Sequence, residues 1–158
     1  PQVFQVIVAK NKPTITCGDI RVEFIARKNV DEVPVSDFKT PRGYLKISTP
    51  AATAFDLVGY TRHAGGLDNV ATILAEVVEK IEGKELVSMA VLSPIAWAQR
   101  LGYLLDHAGA QKKTGELAEY IDQKNALPTP LVPSRPFRGT VQLKRWRILV
   151  NADVEAET

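Results

Sequence analysis

Residues 46–58 read KISTPAATAFDLV, and the chain is predicted to change from a strand to a helix inside this stretch. Thr49 is a favourable N-cap because its hydroxyl can accept a hydrogen bond from the first turn of a helix. Pro50 suits the first helical position, where a missing N–H costs nothing. We therefore predict a strand over residues 44–47 and a helix over residues 51–60. The stretch separates a β-rich N-terminal part from a helical part.

The N-terminal part is predicted to contain two further strands. Residues 3–8 form a short apolar run, and residues 20–25 alternate between apolar and polar side chains, which is typical of a half-buried strand. The two segments can pair as a hairpin across residues 10–19. The loop over residues 29–43 is rich in Asp and Pro and has room for a short strand at residues 33–35.

Five helices are predicted in the middle of the chain, and the one after Pro50 is the first. The other four show apolar side chains at helical spacing, N-cap residues or closing glycines. They cover residues 67–81, residues 84–92, a segment that opens at Ser93-Pro94 and closes at Gly109, and a segment that Thr114 caps and that runs through Ile121.

The C-terminal part combines a Pro-rich stretch with one late strand. Residues 127–136 contain four prolines and are predicted to be extended, since proline lacks the N–H that a helix or a central strand requires. Residues 146–150 are predicted to be a strand whose Trp146 and Ile148 share one face. Strands, then helices, then a strand are typical of the α+β class. We expect the late strand to return to the N-terminal sheet within a single domain of residues 1–158.

Composition favours a folded protein in a reducing compartment. Of the 158 residues, 45% are hydrophobic and 24% are charged, which excludes a wholly disordered chain. The single cysteine, Cys17, excludes an internal disulfide and a zinc site built from cysteines, and we expect a cytoplasmic protein. The longest apolar stretch, residues 87–98, is about half of a membrane span and is interrupted by Ser93-Pro94, so no membrane partner is expected. The chain begins with Pro1 rather than Met, and we expect it to be a fragment.

The clearest binding feature is a basic cluster near the C-terminus that contains no acidic residue. Its members are Arg135, Arg138, Lys144, Arg145 and Arg147. A cluster of this size can bind phosphate groups, so these five residues are the candidate nucleic-acid-binding residues. The alternative is a solvated strand face whose charges prevent a sheet edge from pairing with another chain.

No pattern of catalytic, metal-binding or cofactor-binding residues is predicted. His63 and His107 lack a second metal ligand at helical spacing, and Cys17 has no His or Lys nearby in the sequence. No phosphate-binding glycine pattern is present, and Gly65-Gly66 is more simply interpreted as a tight connection before a helix. We therefore expect no enzyme activity, no metal and no cofactor.

A metal-dependent nuclease or small hydrolase is the alternative from another functional class. A nuclease site of this kind requires an acidic residue and a Glu-x-Lys pair on neighbouring strands, so that carboxylates hold the metal and the Lys orients a water. The only Glu-x-Lys is Glu82-Gly83-Lys84, which is predicted at a helix end. Asp19 and Glu23 lie near the second strand and would be the acids of such a site.

Asp56 lies among apolar residues in a helix that is predicted to be buried on most of its surface. A buried carboxylate requires a partner, because an unpaired buried charge costs several kcal/mol. Arg100, on another apolar helix, is the predicted partner, and we interpret the pair as a structural ion pair; Arg62 is the alternative partner. Gly102 costs about 1 kcal/mol relative to Ala in a helix, which indicates that another backbone packs closely there.

Three sequence blocks resemble the AbiEi family of antitoxins. Residues 46–58 resemble its S-T-P-x-x-T-x-x-D-L signature, and residues 64–70 (AGGLDNV) and 99–105 (QRLGYLL) resemble two further blocks in the same order. The likeness extends from about residue 3 to about residue 151. The family often has Glu and a basic residue after S-T-P, where this chain has Ala51 and Ala52, so a partner contact through those two positions is not expected.

The resemblance implies a transcriptional regulator of a bacterial abortive-infection, or type IV toxin–antitoxin, operon that takes part in phage defence. In such proteins an N-terminal winged helix-turn-helix binds operator DNA, and a C-terminal domain confers antitoxin activity. Residues 1–158 would be that C-terminal domain without the winged helix. The implied partners are operator DNA, bound mainly by the winged helix, and a cognate nucleotidyltransferase toxin, which is counteracted directly or indirectly. A homodimer, or a plain dimerisation module that spaces two DNA-binding domains, is the further alternative.

Overall fold

A computed structural model describes residues 2–156 of the chain. The chain divides into two compact units, one that extends to Val33 and one that begins at Pro34. The α+β class is confirmed: strands come first, five helices follow, and short strands come last.

The first unit is a three-stranded sheet. Its strands are β1 (Gln2–Val8), β2 (Ile15–Cys17) and β3 (Ile20–Ala26), in the order β1-β3-β2. β1 runs parallel to β3, so the predicted hairpin between residues 3–8 and 20–25 is wrong. The hairpin partner of β3 is β2, because Gly18 adopts a φ of +56° and turns the chain tightly just before β3. β1 therefore takes the other edge of β3.

The second unit opens with a β-hairpin. β4 (Val35–Thr40) pairs antiparallel with β5 (Gly43–Ser48), and the strand predicted over residues 44–47 is confirmed as β5. Its partner lies inside the predicted loop 29–43 and is longer than the short strand expected there. β4 pairs with β5 through hydrogen bonds on both sides of a two-residue turn. The residue pattern of 35–40 alone does not indicate this pairing.

The five predicted helices are confirmed. They are α1 (Pro50–Gly59), α2 (Leu67–Val77), α3 (Gly83–Val91), α4 (Ile95–His107) and α5 (Gly115–Gln123). The helix predicted over residues 67–81 ends as an α-helix at Val77 and continues as a 3₁₀ turn, Val78–Lys80.

Only the first of the three predicted N-caps forms the expected hydrogen bond. The Thr49 hydroxyl accepts from the Ala52 N–H at 3.2 Å. Ser93 does not cap α4: Pro94 takes the N-cap position, and the Ser93 hydroxyl donates to the Met89 carbonyl of α3 at 2.9 Å, because Ser93 lies one residue too early. Thr114 takes the N-cap position of α5, but no side-chain cap bond forms, because its hydroxyl donates to a carboxylate of α4.

The core of the second unit lies among its helices. α1 packs against α2, α3 and α4, and α5 packs against α3 and α4. Ala51 and Ala52 are almost completely buried, which lets the neighbouring helices approach α1 closely. These two alanines therefore face the core. Other fully buried side chains are Phe55, Leu74, Leu86, Leu101, Leu117 and Ile121.

The late strand lies in a sheet of its own, here called the C-terminal sheet. It consists of β6 (Thr129–Pro130), β7 (Val141–Leu143) and β8 (Ile148–Val150), in the order β6-β8-β7. We expected β8 to return to the N-terminal sheet, but the Pro-rich stretch itself supplies its parallel partner β6. Proline is tolerated there because β6 is an edge strand. Trp146 and Ile148 are buried, and β8 packs against α4.

Candidate nucleic-acid interface

The candidate interface is built around a loop of residues 132–140, here called the basic loop, which connects β6 to β7. Asn151 fixes its first half: the side-chain oxygen accepts from the Val132 N–H at 2.9 Å, and the side-chain nitrogen donates to the carbonyls of Val132 and Arg135 at 2.7 and 3.2 Å. Thr140 fixes the second half, since its hydroxyl donates to the Phe137 carbonyl at 2.7 Å. The loop backbone is therefore held in place although it carries little regular secondary structure.

Four of the five predicted basic residues are exposed to solvent, Arg145 among them, and the other three are unpaired within the described residues. Arg135 and Arg138 lie on the basic loop, and Lys144 follows β7. Within residues 2–156, none of the three forms an ion pair. Their full positive charges are therefore available to an external anion such as a phosphate.

Arg145 is also exposed, at 45% of its side chain, but its guanidinium is paired within the protein. Its Nε lies 3.2 Å from Oδ2 of Asp106 on α4, and one terminal nitrogen donates to the Thr114 hydroxyl at 3.0 Å. Its guanidinium also lies 5.3 Å from the centre of the Trp146 ring, a distance typical of a cation–π contact. Arg145 therefore helps to hold the C-terminal sheet against α4 and α5.

Arg147 has a similar structural role at the other side of this sheet. Its guanidinium donates to the Ala126 carbonyl at 2.7 Å, to the Asn125 side chain at 3.2 Å and to the Asp122 carboxylate at 3.0 Å. A cation is favoured near the C-terminal end of a helix, where carbonyl groups are free to accept hydrogen bonds. The Asp122 carboxylate adds a negative charge at the same end of α5. Arg147 thus joins the C-terminal end of α5 to the sheet.

Asp106 is the centre of a mostly buried hydrogen-bond network behind the interface. Besides Arg145, its carboxylate accepts from the Thr114 hydroxyl at 2.6 Å and from the Trp146 ring N–H at 2.7 Å. The side chain is 18% exposed. A charged acceptor with three donors strongly fixes the positions of the groups around it.

Lys144 lies between two shallow clefts. One has a volume of about 480 Å³, and its polar lining includes Asn125, Gln142 and Arg147. The other has a volume of about 450 Å³ and is lined by Tyr103, His107 and the side chains beside Lys144. Lys144 can therefore contact an anionic group that enters either cleft.

Phe137 is a component of the interface that the charge pattern did not indicate. It lies between Arg135 and Arg138, and its side chain is 46% exposed. The signal was present in the sequence as an aromatic residue between two arginines in S-R-P-F-R-G, residues 134–139.

Arg100 also connects a helix to the C-terminal sheet. Its Nε donates to the Pro130 carbonyl at 3.0 Å, and a terminal nitrogen donates to the Thr129 hydroxyl at 3.2 Å. Burial lowers the pKa of the Arg100 guanidinium. The predicted ion pair between Arg100 and Asp56 stays a prediction, and these bonds give Arg100 a second structural role.

The other residues considered for catalysis lie apart from the basic loop in the sequence. His63 and Cys17 are exposed, and His107 lies in the last turn of α4 with Nε2 3.1 Å from the Val154 carbonyl oxygen. Glu23 forms an ion pair with Arg21 at 3.2 Å.

No group of three or more His, Cys, Asp or Glu side chains that could hold a metal ion occurs in the described part of the chain. The Glu-x-Lys of the nuclease alternative lies where α3 begins, and its Lys84 is 3.7 Å from Glu82. The described helices include none that is both long and apolar enough to cross a membrane.

The comparison with known families identifies the chain. Residues 1–107 match the profile of the AbiEi antitoxin C-terminal domain, which confirms the resemblance of the three sequence blocks. Searches of curated proteins and of solved structures gave no significant match. The matched family is a regulatory, non-enzymatic kind of protein, and the match covers more than half of the sequence. The chain therefore belongs to the AbiEi antitoxin C-terminal domain family.

Proposed function

We propose that this chain is the antitoxin-conferring domain of a transcriptional repressor, that it counteracts a cognate nucleotidyltransferase toxin, and that it assists autoregulation of their operon. The observation that carries the proposal is the family match over residues 1–107, from the first strand to the end of α4. We place its action in a reducing cytoplasm, in agreement with the single exposed cysteine.

The geometry supports a function exerted through the protein surface. The clefts around Lys144 are shallow, whereas Arg135, Arg138 and Lys144 are exposed cations on a fixed backbone. We propose that these three residues contact the phosphates of nucleic acid, while Arg145 and Arg147 position them by holding the C-terminal sheet. These residues follow the family-matched region, so their role is argued from charge and exposure alone.

Antitoxin activity is tested by co-expressing the chain with the neighbouring nucleotidyltransferase gene and scoring growth. We expect growth to be rescued, and rescue to be lost when the core is disrupted by Phe55→Asp. If the folded, well-expressed chain does not rescue growth, the antitoxin proposal is wrong. Co-purification of the two proteins in the same cells decides whether the toxin is counteracted by direct binding.

The phosphate contacts are tested by the salt dependence of operator binding in the full-length repressor. Each lost phosphate contact reduces the slope of log K against log salt by about 0.9. We therefore expect Arg135→Ala, Arg138→Ala and Lys144→Ala together to reduce the slope by about 2 to 3. Lys39→Ala, Lys80→Ala and Lys112→Ala remove three other exposed cations and serve as the matched control. Equal slopes in the two triple variants would contradict the assignment.

A further inference from the structure

We propose that the basic loop is a binding platform for single-stranded nucleic acid, on which Phe137 stacks against a base while Arg135 and Arg138 hold the flanking phosphates. This inference rests on the proposed nucleic-acid contact and specifies that the nucleic acid is single-stranded. It uses residues that lie outside the family-matched region.

The Phe137 ring is presented on a fixed loop. Its carbonyl accepts from the Thr140 hydroxyl at 2.7 Å and from the Thr140 N–H at 3.3 Å, so the turn that follows it is closed. Pro136 has a fixed φ and restricts the backbone of Arg135 before it, and Asn151 bonds to the loop backbone at Val132 and Arg135. The ring nevertheless remains 46% exposed. A ligand can therefore cover the ring without first ordering the loop.

Positively charged residues lie on either side of Phe137 in the sequence. Residues 131–150 contain five Arg and Lys residues and no Asp or Glu. Two of the five, Arg145 and Arg147, form ion pairs with Asp106 and Asp122. Among the described residues, three cations of this segment form no ion pair. They are Arg135 and Arg138, next to Phe137 in the sequence, and Lys144.

An aromatic residue between two arginines is suited to binding a single strand. Aromatic side chains bind single strands by stacking on bases, and nearby cations follow the phosphates. In a duplex the base faces are covered by their neighbours, and only base edges are offered in the grooves. A ring that supplies neither donor nor acceptor gains little from those edges. Phe137 therefore favours unpaired bases over a duplex.

The experiment measures binding of the 1–158 chain to three labelled probes at the same salt concentration. The probes are an oligothymidylate of about 12 nucleotides, an abasic strand with the same number of phosphates, and a duplex of the same length; the length lies within known single-strand site sizes. We expect the oligothymidylate to bind on the order of tenfold more tightly than the abasic strand. We also expect the oligothymidylate to bind more tightly than the duplex.

Variants separate stacking from charge. Phe137→Leu keeps an apolar side chain and is expected to make the oligothymidylate and the abasic strand bind equally, whereas Phe137→Tyr is expected to keep the preference. Phe38→Leu is the matched control, because Phe38 is also an exposed phenylalanine, at 57%, and lies on β4. Arg138→Gln is expected to weaken the binding of both strands by a similar factor.

The possible results distinguish the inference from the proposed function. The platform proposal is wrong if Phe137→Leu keeps the wild-type preference for the oligothymidylate over the abasic strand. It is also wrong if the duplex binds more tightly than the oligothymidylate. Neither result contradicts the proposed phosphate contacts. If the wild-type chain binds none of the three probes in a salt-sensitive manner, both the platform and the phosphate contacts fail. Growth rescue by the antitoxin is independent of all these results.

Discussion

Gly102 is the residue at which α4 and the C-terminal sheet meet. Glycine costs about 1 kcal/mol relative to Ala inside a helix, so its presence requires a close neighbour. We expected another backbone at this position. The neighbour is instead the ring of Trp146, which is 1% exposed and occupies the space where a Cβ of residue 102 would be.

The substitution Gly102→Ala tests this packing. We expect it to lower the free energy of unfolding by about 1 to 3 kcal/mol, because the overlap with the Trp146 ring outweighs the gain in helix propensity. The measurement is urea unfolding followed by tryptophan fluorescence. Gly115→Ala is the control: nothing lies within 4 Å of its Cβ position, so it should be neutral or slightly stabilising. A stabilised Gly102→Ala would show that the ring can move aside without cost.

Asp106 is the second residue with a large expected effect. Asp106→Ala leaves the ring N–H of Trp146 without its acceptor and removes the acid paired with Arg145, and we expect a loss of about 2 to 3 kcal/mol in the free energy of unfolding. Asp122→Ala removes an ion-pair partner that is 82% exposed and should cost less than about 1 kcal/mol. Similar urea midpoints for the two variants would argue against a network centred on Asp106.

At the scale of elements, the N-terminus of α1 depends on one side-chain bond. Thr49→Ala removes the acceptor of the Ala52 N–H and should lower the free energy of unfolding by about 1 kcal/mol. Thr49→Ser keeps the hydroxyl and should retain most of the stability. Chemical denaturation of the three proteins measures both effects, and equal losses in the two variants would exclude capping as the cause.

The end of α4 and the residues after β8 form a pH-sensitive contact. Burial raises the pKa of the Tyr103 phenol, and the Asp153 carboxylate raises it further. The folded state therefore holds the phenolic proton more tightly than the unfolded chain, whose tyrosine pKa is about 10. This contribution to stability is complete below pH of about 10 and is lost as the pH rises through the folded-state pKa.

We therefore expect the unfolding free energy of the wild-type protein to fall more steeply between pH of about 9 and 11 than that of Tyr103→Phe. Denaturant midpoints across this range give the two slopes. Tyr44→Phe is the control, since Tyr44 is 71% exposed and its removal should leave the wild-type slope unchanged. Parallel slopes for the wild type and Tyr103→Phe would contradict the prediction.

At the scale of the whole molecule, the family-matched residues depend on residues that follow them. The match ends at residue 107, yet the amide of Gln99 on α4 donates to the carbonyls of Leu127 and Trp146 at 2.9 and 3.1 Å. Trp146 and Ile148 are almost completely buried. The C-terminal sheet is therefore part of the core around α4.

A chain that ends at residue 127 is expected to lose cooperative unfolding, because it exposes the apolar surface that Trp146 and Ile148 cover. Circular dichroism and thermal unfolding measure this loss. A chain that ends at residue 151 is the control: it loses the bonds of Val154 and Glu155 to His107 and Asp68 but keeps the sheet, and it should unfold cooperatively. A cooperative transition in the shorter chain would contradict this view of the core.

The local features of this protein could be predicted from its amino-acid sequence. Caps, apolar spacing and prolines act within a few residues, so the five helices, the Thr49 cap, β5 and the α+β class could be predicted from them. The three sequence blocks at residues 46–58, 64–70 and 99–105 likewise pointed to the family that the profile match shows. The pairing partners of the strands could not be predicted in this way. β1 could pair with either edge of a sheet, and β8 pairs with β6, which lies in the Pro-rich stretch.

Which positive charges are unpaired and open to a ligand depends on the folded structure. The basic cluster looks uniform in the sequence, but Arg145 is paired with Asp106 and Arg147 with Asp122, residues that lie far earlier in the chain. Arg135 and Arg138 remain exposed beside the Phe137 ring. The physical reason is that a charge is neutralised by whatever folding brings within a few ångströms, and this proximity arises from the packing of distant elements rather than from neighbours in sequence.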